Sequence, residues 1–271
     1  MSNHLFTFKN HNVLITAGAS GIGRFIATSF MKAGANVHVA DIDGSAVEEF
    51  EQSHPGALTS QVDVANESSV DRLFGTQRDG HGDLDVLVNC AGIQGPTAPV
   101  EDMAFDDWRQ CIAVNLDAAF LCSRRAVPMM KTKADGKGRG NIINISSTAG
   151  WHGYPWRSPY SSAKWALIGF TKSLAMELGT AGIRVNAICP GTVDGDRMDR
   201  VIAAEAQNKN VDEQQIRDGY TQGCSMRTMI SGQDIADMTL FLASDAASKV
   251  TGQAINVDGH LESFAVSNPS A

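Results

Sequence analysis

The chain has 271 residues, of which 43% are hydrophobic and 19% charged, a composition that is globular and excludes a largely disordered protein. Its formal net charge of −8 disfavours nucleic acid and anionic membranes as partners. No apolar run approaches membrane-spanning length and the first residues lack the pattern of a signal peptide, so we expect no membrane partner and a cytoplasmic location.

Cysteine usage argues against both disulfides and zinc. The chain holds five cysteines, an odd number, which are widely spaced and include no Cys-x-x-Cys pair: Cys90, Cys111, Cys122, Cys189 and Cys224. This pattern is typical of buried free thiols in a reducing compartment. We therefore predict no metal site.

Short β-branched runs alternate with helical runs along the chain. Strands are predicted at 13–16, 37–40, 58–64, 84–88, 141–145, 184–188 and 254–257. Helices are predicted at 24–33, 44–52, 67–77, 106–130 and 159–178. Repeated strand–helix–strand units imply right-handed crossovers, and no linker interrupts them. The sequence therefore predicts an α/β fold with a seven-stranded parallel sheet covered by helices on both faces.

A glycine-rich turn follows the first predicted strand. It reads Thr16-Ala17-Gly18-Ala19-Ser20-Gly21-Ile22-Gly23. Glycines at this point let the backbone approach a pyrophosphate, and the N-terminus of the next helix supplies N–H groups and a favourable dipole. The candidate phosphate-binding residues are Ser20, Gly21, Ile22 and Gly23.

Asp41 ends the second predicted strand, about 20 residues past the glycines. A carboxylate there can accept hydrogen bonds from an adenosine ribose and repels a 2′-phosphate, which favours NAD over NADP. A helix cap or turn residue is the alternative interpretation. Arg24 would argue for NADP, but we expect it on the surface of the first helix.

Tyr160 and Lys164 stand four residues apart in a helical run that has Pro159 in its first turn, so they share one helix face. A free phenol, with a pKa of roughly 10, is a poor base near neutral pH, but a fixed ammonium beside it favours the phenolate. The pair is therefore a candidate proton donor and acceptor, although this spacing also occurs by chance. Ser147, at the end of strand 141–145, could hydrogen-bond the same substrate oxygen.

With the glycine turn, Ser147 and Tyr160-x-x-x-Lys164 in one chain, the sequence resembles the short-chain dehydrogenase/reductase family, of the classical type. The resemblance implies a single Rossmann-like domain over 1–271, a nicotinamide cofactor, and hydride transfer between an alcohol and a carbonyl. It makes Tyr160 the proton donor or acceptor, and Ser147 the residue that holds the substrate oxygen. It also implies that Lys164 stabilises the phenolate and bonds the nicotinamide ribose, and that Asn115 positions a water linking Lys164 to solvent.

The resemblance extends to further cofactor contacts. It implies an adenine contact by Asp63 and Val64, a turn after the fourth strand, and a turn that holds the nicotinamide carboxamide, with the binding residues Asn89, Ala91, Gly92, Pro190, Gly191 and Val193. Cys90 replaces an Asn of the family turn. Ala17 stands where the family usually has its first glycine, and it fits there if its φ is below zero, so we expect a small adjustment. Gly195 stands where a Thr often follows the second turn.

The substrate is poorly encoded in the sequence. By family analogy it is lined by 93–100, 148–157 and 192–222, the last being a long polar segment that we expect to form a movable lid. The candidate substrate residues are Gln94, Ser147, His152, Arg157 and Arg197. A pocket Arg could clamp an anion, whereas a solvated lid charge is the plainer interpretation. We expect a small polar secondary alcohol such as a sugar, polyol or hydroxy acid, with steroids and aromatic alcohols as the alternative.

Three other interpretations stay open. The chain could be a non-catalytic NAD-binding regulator, since fold does not fix function, or it could run a dehydration or epimerisation on the same scaffold. The retained Ser147, Tyr160, Lys164 and Asn115 argue against a regulator. The predicted helices 106–130 and 159–178 could also pack against copies of themselves, and the resemblance implies a homotetramer or homodimer.

Overall fold

A computed structural model of the chain describes residues 6–131 and 140–261. Within these ranges seven strands form one sheet in the order β3-β2-β1-β4-β5-β6-β7, and every neighbouring pair is parallel. The strands are β1 Asn12–Thr16, β2 Asn36–Asp41, β3 Leu58–Gln61, β4 Val86–Asn89, β5 Gly140–Ile145, β6 Ile183–Pro190 and β7 Ala254–Val257. The predicted seven-stranded parallel sheet is confirmed.

Helices connect the strands. They are α1 Gly21–Lys32, α2 Gly44–Ser53, α3 Glu67–His81, α4 Phe105–Ile112, α5 Ala118–Lys131, α6 Ser158–Leu178, α7 Asp196–Lys209, α8 Glu213–Gln222 and α9 Gly232–Ala243. The chain runs from β1 outward to β3 and then returns to β4 on the other side of β1. A crevice therefore opens between the carboxyl ends of β1 and β4, which is where open α/β sheets bind ligands.

Each face of the sheet buries its own hydrophobic core. Successive strand residues point to opposite faces, so Val13 and Ile15 of β1 lie in one core and Leu14 lies in the other. The first core is closed by α1 and α9, and the second by α3, α5 and α6. The prediction that helices cover both faces is confirmed.

Several predicted bounds differ from the structure. β3 ends at Gln61 rather than at 64, because its partner strand β2 ends at Asp41, which is the residue opposite Gln61. The helix predicted over 106–130 is two helices joined by a π-helical turn at Ala113–Asp117. The first helix begins at Gly21, three residues before the predicted start. Hydrophobic periodicity does not register a π turn, because it keeps the helical direction.

The segment predicted as a polar lid folds into α7 and α8, and Asp212 caps the start of α8 by accepting from the N–H of Gln214. No helix among residues 6–131 and 140–261 combines the length and the apolar character needed to cross a bilayer.

Candidate active site

The glycine turn joins β1 to α1, and glycine is favoured at Gly23 by close packing and at Gly21 by a left-handed φ. A methyl group added to Gly23 would lie 2.0 Å from the carbonyl oxygen of Ala17, so only glycine lets α1 approach the turn. Gly21 has a φ of 50°, and an added methyl group there would meet no atom within 4 Å. The N-terminus of α1 therefore borders open space beside the backbone of the glycine turn. This arrangement fits the pyrophosphate of a dinucleotide.

Ala17 departs from the expectation. Its φ is 50°, in the left-handed region, and not below zero. A non-glycine residue is strained there because its Cβ crowds the following carbonyl oxygen. The turn keeps the geometry that a glycine would give it, and the alanine bears the strain.

Asp41 lies at the end of β2 beside this turn and is 6% exposed. Its Oδ2 accepts from the N–H of Ala19 at 3.1 Å and its Oδ1 from the N–H of Asp43 at 3.3 Å. The residue that caps α2 is Asp43, so Asp41 is not a helix cap. Its carboxylate oxygens have lone pairs left for ribose hydroxyls.

Arg24 is held on the surface, as the sequence predicts. Its Nη1 forms a 2.8 Å ion pair with Glu49, and its Nη2 donates to Ser53 at 3.2 Å. Both partners belong to α2, so the guanidinium crosses from α1 to α2 and is engaged there.

Thr16 is a site residue that the sequence pattern did not reveal. Its Oγ1 accepts from the N–H groups of Cys90 and Ala91 at 3.0 and 3.1 Å, and so binds the end of β1 to the turn after β4. The turn is held from its other side by Asn89, whose Nδ2 donates to Asn144 at 2.8 Å. Only the sheet order, with β1 beside β4, brings these groups together.

Lys164 and Tyr160 lie on the same face of α6, as their spacing predicts. The Lys164 side chain is 3% exposed by residue, and its Nζ lies 5.6 Å from the centre of the Tyr160 ring. Nζ also donates to the carbonyl of Ile145 at 2.9 Å, which fixes the ammonium at the end of β5. An ammonium this deeply buried requires such oriented partners.

Asn115 occupies the middle of the π turn and is 1% exposed. Its Nδ2 donates to the carbonyls of Ile93 and Cys111 at 2.8 and 2.9 Å. Its Oδ1 is buried and accepts from no donor within the described residues. A methyl group added to Gly92 would lie 2.8 Å from this Oδ1 and 3.3 Å from Lys164 Nζ. The Asn115 oxygen and the Lys164 ammonium therefore lie next to the same position beside Gly92. The orphaned oxygen fits the expected role in holding a water.

Ser147 stands in the segment between β5 and α6. Its Oγ accepts from the N–H of Ala149 at 3.1 Å, so the hydroxyl proton can be donated elsewhere. Two bonds to α6 fix the segment: Ser146 Oγ donates to the carbonyl of Lys164 at 3.0 Å, and Ser161 Oγ donates to that of Ala149 at 2.8 Å. Ser147 therefore sits on a part of the chain that is rigidly held against the Tyr160 helix.

The remaining predicted cofactor residues also gather at the carboxyl ends of the strands. Asp63 and Val64 follow β3, and Pro190 ends β6. A methyl group on Gly191 would lie 2.8 Å from the Asp258 Cβ, so this turn is packed against the chain that follows β7. Ile230 fixes the other side of the turn, because it donates to the carbonyl of Thr192 at 2.9 Å.

The loops predicted to bind substrate meet at the start of α6. The N–H of Ala98 donates to the carbonyl of Trp156 at 3.0 Å, and Gly95 packs against Pro159. Arg157, the residue before α6, is half-buried with its guanidinium carbon 5.7 Å from the centre of the Tyr154 ring. Within the described residues it has no carboxylate partner. Gln94 is likewise half-buried, and its side chain has no hydrogen bond there.

The other two candidates are less informative. The carbonyl of His152 accepts from Ser161 at 3.4 Å, and its ring borders an open cavity of about 980 Å³ that runs from Trp151 to the residues around β7. The side chain of Arg197 lies outside the described residues.

The thiols near the site are protonated and inert. Burial raises the pKa of the Cys90 thiol to about 12, although the residue as a whole is partly exposed. Burial also raises the pKa of Cys189, beside Ser146, to about 11. All five cysteines are free, and four of them are buried as expected, whereas Cys90 is half-buried. No group of three or more metal-ligating side chains occurs in the described part of the chain.

Comparison with known proteins gives consistent similarity along the chain. Residues 16–261 match a family model described as Enoyl-(Acyl carrier protein) reductase. The chain is 34% identical over 263 residues to D-beta-hydroxybutyrate dehydrogenase of Rhizobium meliloti (strain 1021), covering 91% of this chain and 96% of the relative. It is 32% identical over 272 residues to 3beta-hydroxysteroid dehydrogenase of Mediterraneibacter gnavus, covering 95% and 96%.

Solved structures show the same likeness. NAD+-bound xylitol dehydrogenase superposes with a TM-score of 0.85 at 27% identity, covering 93% of this chain and 99% of that chain. The arrangement of strand-end turns described above is therefore similar to that of a protein whose structure holds a nicotinamide dinucleotide.

Proposed function

The chain belongs to the short-chain dehydrogenase/reductase family and is an oxidoreductase that acts on alcohols and ketones. From that premise we propose that it transfers hydride between NAD and a small polar secondary alcohol. The observation that carries the mechanism is the burial of Lys164 with its ammonium 5.6 Å from the centre of the Tyr160 ring. A buried cation beside a phenol favours the phenolate and makes Tyr160 a proton carrier.

Tyr160, Ser147 and Asn115 have different roles in the proton transfer. In alcohol oxidation Tyr160 accepts the hydroxyl proton, and in ketone reduction it returns the proton to the oxygen. Ser147 donates a hydrogen bond to the same oxygen and keeps its proton, while its Oγ accepts from the N–H of Ala149. Asn115 holds a water with its orphaned Oδ1, next to the Lys164 ammonium. When bound, the nicotinamide dinucleotide supplies or accepts the hydride.

Two features of the adenosine end support NAD over NADP. Asp41 places a nearly buried carboxylate beside the glycine turn, and a negative charge there repels a 2′-phosphate. Arg24, the nearest cation of α1, is bonded to Glu49 and Ser53. A 2′-phosphate would have to draw Arg24 away from these partners.

Replacing Tyr160 by Phe tests the activity. We expect turnover to fall by at least about a hundredfold because the proton carrier is lost, while NADH affinity changes little. The measurement is NADH absorbance over a panel of secondary alcohols with NAD and NADP side by side, and NADH binding by fluorescence. Equal turnover in the variant would remove Tyr160 from the mechanism, and NADH binding without turnover in the wild type would favour the regulator.

Arg157 supports a hydroxy acid as the substrate class. It is half-buried three residues before Tyr160, and the described residues offer it no carboxylate. Gln94, on the adjoining loop, adds an amide without a hydrogen bond. A substrate carboxylate would satisfy both groups and would hold the reacting carbon at a fixed distance from the anion.

Arg157→Gln tests this assignment with a pair of substrates, 3-hydroxybutyrate and the neutral 1,3-butanediol. We expect the KM for the acid to rise about tenfold or more while that for the diol stays the same, since only the acid loses its charge partner. The control is Arg109→Gln, because Arg109 also lies over an aromatic ring, at 6.0 Å from Phe105. Equal effects on both substrates would contradict a carboxylate site.

A larger apolar alcohol is the second candidate. It is favoured by the cavity next to Trp151 and His152, whose wall includes Met226, Met229 and Met238. A steroid alcohol in the same substrate panel distinguishes the two classes, because a KM lower than that of every hydroxy acid would favour the second.

A further inference from the structure

Helices α7 and α8 form a hairpin with a core of its own. Ile202, Ala206 and Ile216 are buried between the two helices, and this small cluster is separate from both cores of the sheet. Tyr220 of α8 adds a 3.0 Å hydrogen bond to Glu205 of α7. We call residues 196–222 the helical hairpin. Met229, which follows α8, also packs against this cluster, but the main contacts of α7 and α8 within the described residues are with each other, so the hairpin can shift as one body.

Backbone hydrogen bonds fix the chain on both sides of the hairpin. Before it, the N–H of Asp194 donates to the carbonyl of Ile230 at 2.8 Å. After it, the N–H of Ser225 donates to the carbonyl of His260 at 3.0 Å. The chain enters α7 through Gly195, whose φ of 136° suits glycine. The hairpin therefore needs side-chain contacts to set its angle to the sheet.

Arg217 of α8 supplies such a contact. Its Nη1 donates to Asp194 Oδ1 at 2.9 Å, and its Nη2 forms an ion pair with Asp199 in the first turn of α7. Asp194 directly follows Val193, the last residue of the turn proposed to hold the nicotinamide. One guanidinium thus joins α8, the start of α7 and the end of that turn through two charge-assisted hydrogen bonds.

We propose that Arg217 is a positioning residue that holds the hairpin against the Pro190–Val193 turn and so sets the lifetime of the bound dinucleotide. The proposal rests on the proposed function, because the turn's ligand is NAD. Exposed ion pairs add little to global stability, and the Arg217 side chain is 34% exposed while those of Asp194 and Asp199 are 55% and 54% exposed. Their effect is instead local, because the hairpin has few other contacts with the sheet.

Arg217→Gln is compared with Arg125→Gln in the full-length protein. Arg125 of α5 is a matched control, since it also bridges two carboxylates, Glu67 and Asp71, which both belong to α3. We expect Arg217→Gln to speed NADH release about five- to tenfold in stopped-flow fluorescence and to raise the KM for NAD more than it changes kcat. Both variants should keep the wild-type thermal midpoint. Equal NADH release from the two variants would overturn the proposal.

A second readout does not depend on turnover. Trypsin cleavage after Lys209, at the end of α7, should be several times faster in Arg217→Gln than in Arg125→Gln, with or without NADH, because the hairpin opens more often. Unchanged cleavage would overturn the proposal even if no alcohol is oxidised. If the wild type neither binds NADH nor oxidises any alcohol, the proposed function and the effect on the dinucleotide are refuted. Faster trypsin cleavage of Arg217→Gln would then still show that Arg217 holds the hairpin.

The ion pair itself is tested by a double-mutant cycle with Asp194→Asn. If Arg217 acts through Asp194, adding Arg217→Gln to Asp194→Asn should change NADH release by less than about twofold. Full additivity of the two changes would assign the effect of Arg217 to another contact and would overturn the route proposed here.

Discussion

At the turn after β1, Ala17 adopts a φ of 50°, the conformation in which glycine is unstrained. Some features of the site follow from residues close together in the chain, and others follow only from the fold. The pairing of Tyr160 with Lys164 follows from helical spacing alone, and the sequence predicts it. The φ of Ala17 follows from the path that the chain must take between β1 and α1, where Gly23 packs on the Ala17 carbonyl, so no local pattern predicts it.

Ala17→Gly should stabilise the protein. Relief of the left-handed strain exceeds the extra entropy of glycine in the unfolded chain, so we expect the free energy of unfolding to rise by about 0.5 to 1 kcal/mol. The measurement is the urea midpoint at constant slope. Ala33→Gly is the control, because Ala33 ends α1 with a φ of −83° and its replacement should destabilise. A lower midpoint for Ala17→Gly would show that its backbone is unstrained.

Elements are joined by buried polar contacts that the hydrophobic pattern does not show. His38 of β2 is fully buried, and its ring nitrogens lie 3.0 Å from Gln77 of α3 and 2.9 Å from Ser60 of β3. The sequence predicts β2 and α3, but not that a histidine would connect them. Helix α9 is likewise not among the predicted helices, although its capping box, Ser231 with Asp234, is a start signal that the sequence contains.

The burial of His38 predicts that the protein is sensitive to acid. Burial lowers the pKa of His38 from 6.5 to about 4, so between these values the unfolded chain binds a proton that the folded chain excludes. Stability is therefore lost as pH falls through this window, by about 2 kcal/mol between pH 7 and pH 5. Urea unfolding of the wild type and His38→Gln at both pH values measures the difference. Parallel losses in the two proteins would assign the acid sensitivity to other groups.

The whole molecule presents apolar side chains on helices that the sheet leaves partly uncovered. Trp165 and Met176 of α6 are 50% and 85% exposed, and Phe120 of α5 is 47% exposed. Phe120 also contacts Phe170 of α6, with the two ring centres 6.4 Å apart. Large apolar groups together at the surface indicate an interface, and a homodimer or homotetramer through α5 and α6 stays our prediction.

Trp165→Glu should weaken that assembly. A buried carboxylate in an apolar contact carries a desolvation cost, so we expect a smaller particle in light scattering at micromolar concentration. Val211→Glu is the control, since Val211 is an exposed apolar residue outside α5 and α6. A wild-type protein that is already monomeric would contradict the predicted assembly.

The sequence by itself determined the α/β class, the seven strands, the glycine turn and the Tyr160–Lys164 pair, because each depends on residues close together in the chain. The tertiary structure decided which strand ends meet. Strand order brings Thr16 to the turn after β4. Helix packing sets the left-handed φ of Ala17 and brings Arg217 to Asp194. Sequence patterns describe local periodicity, whereas these contacts form only after the sheet has brought distant segments to one edge.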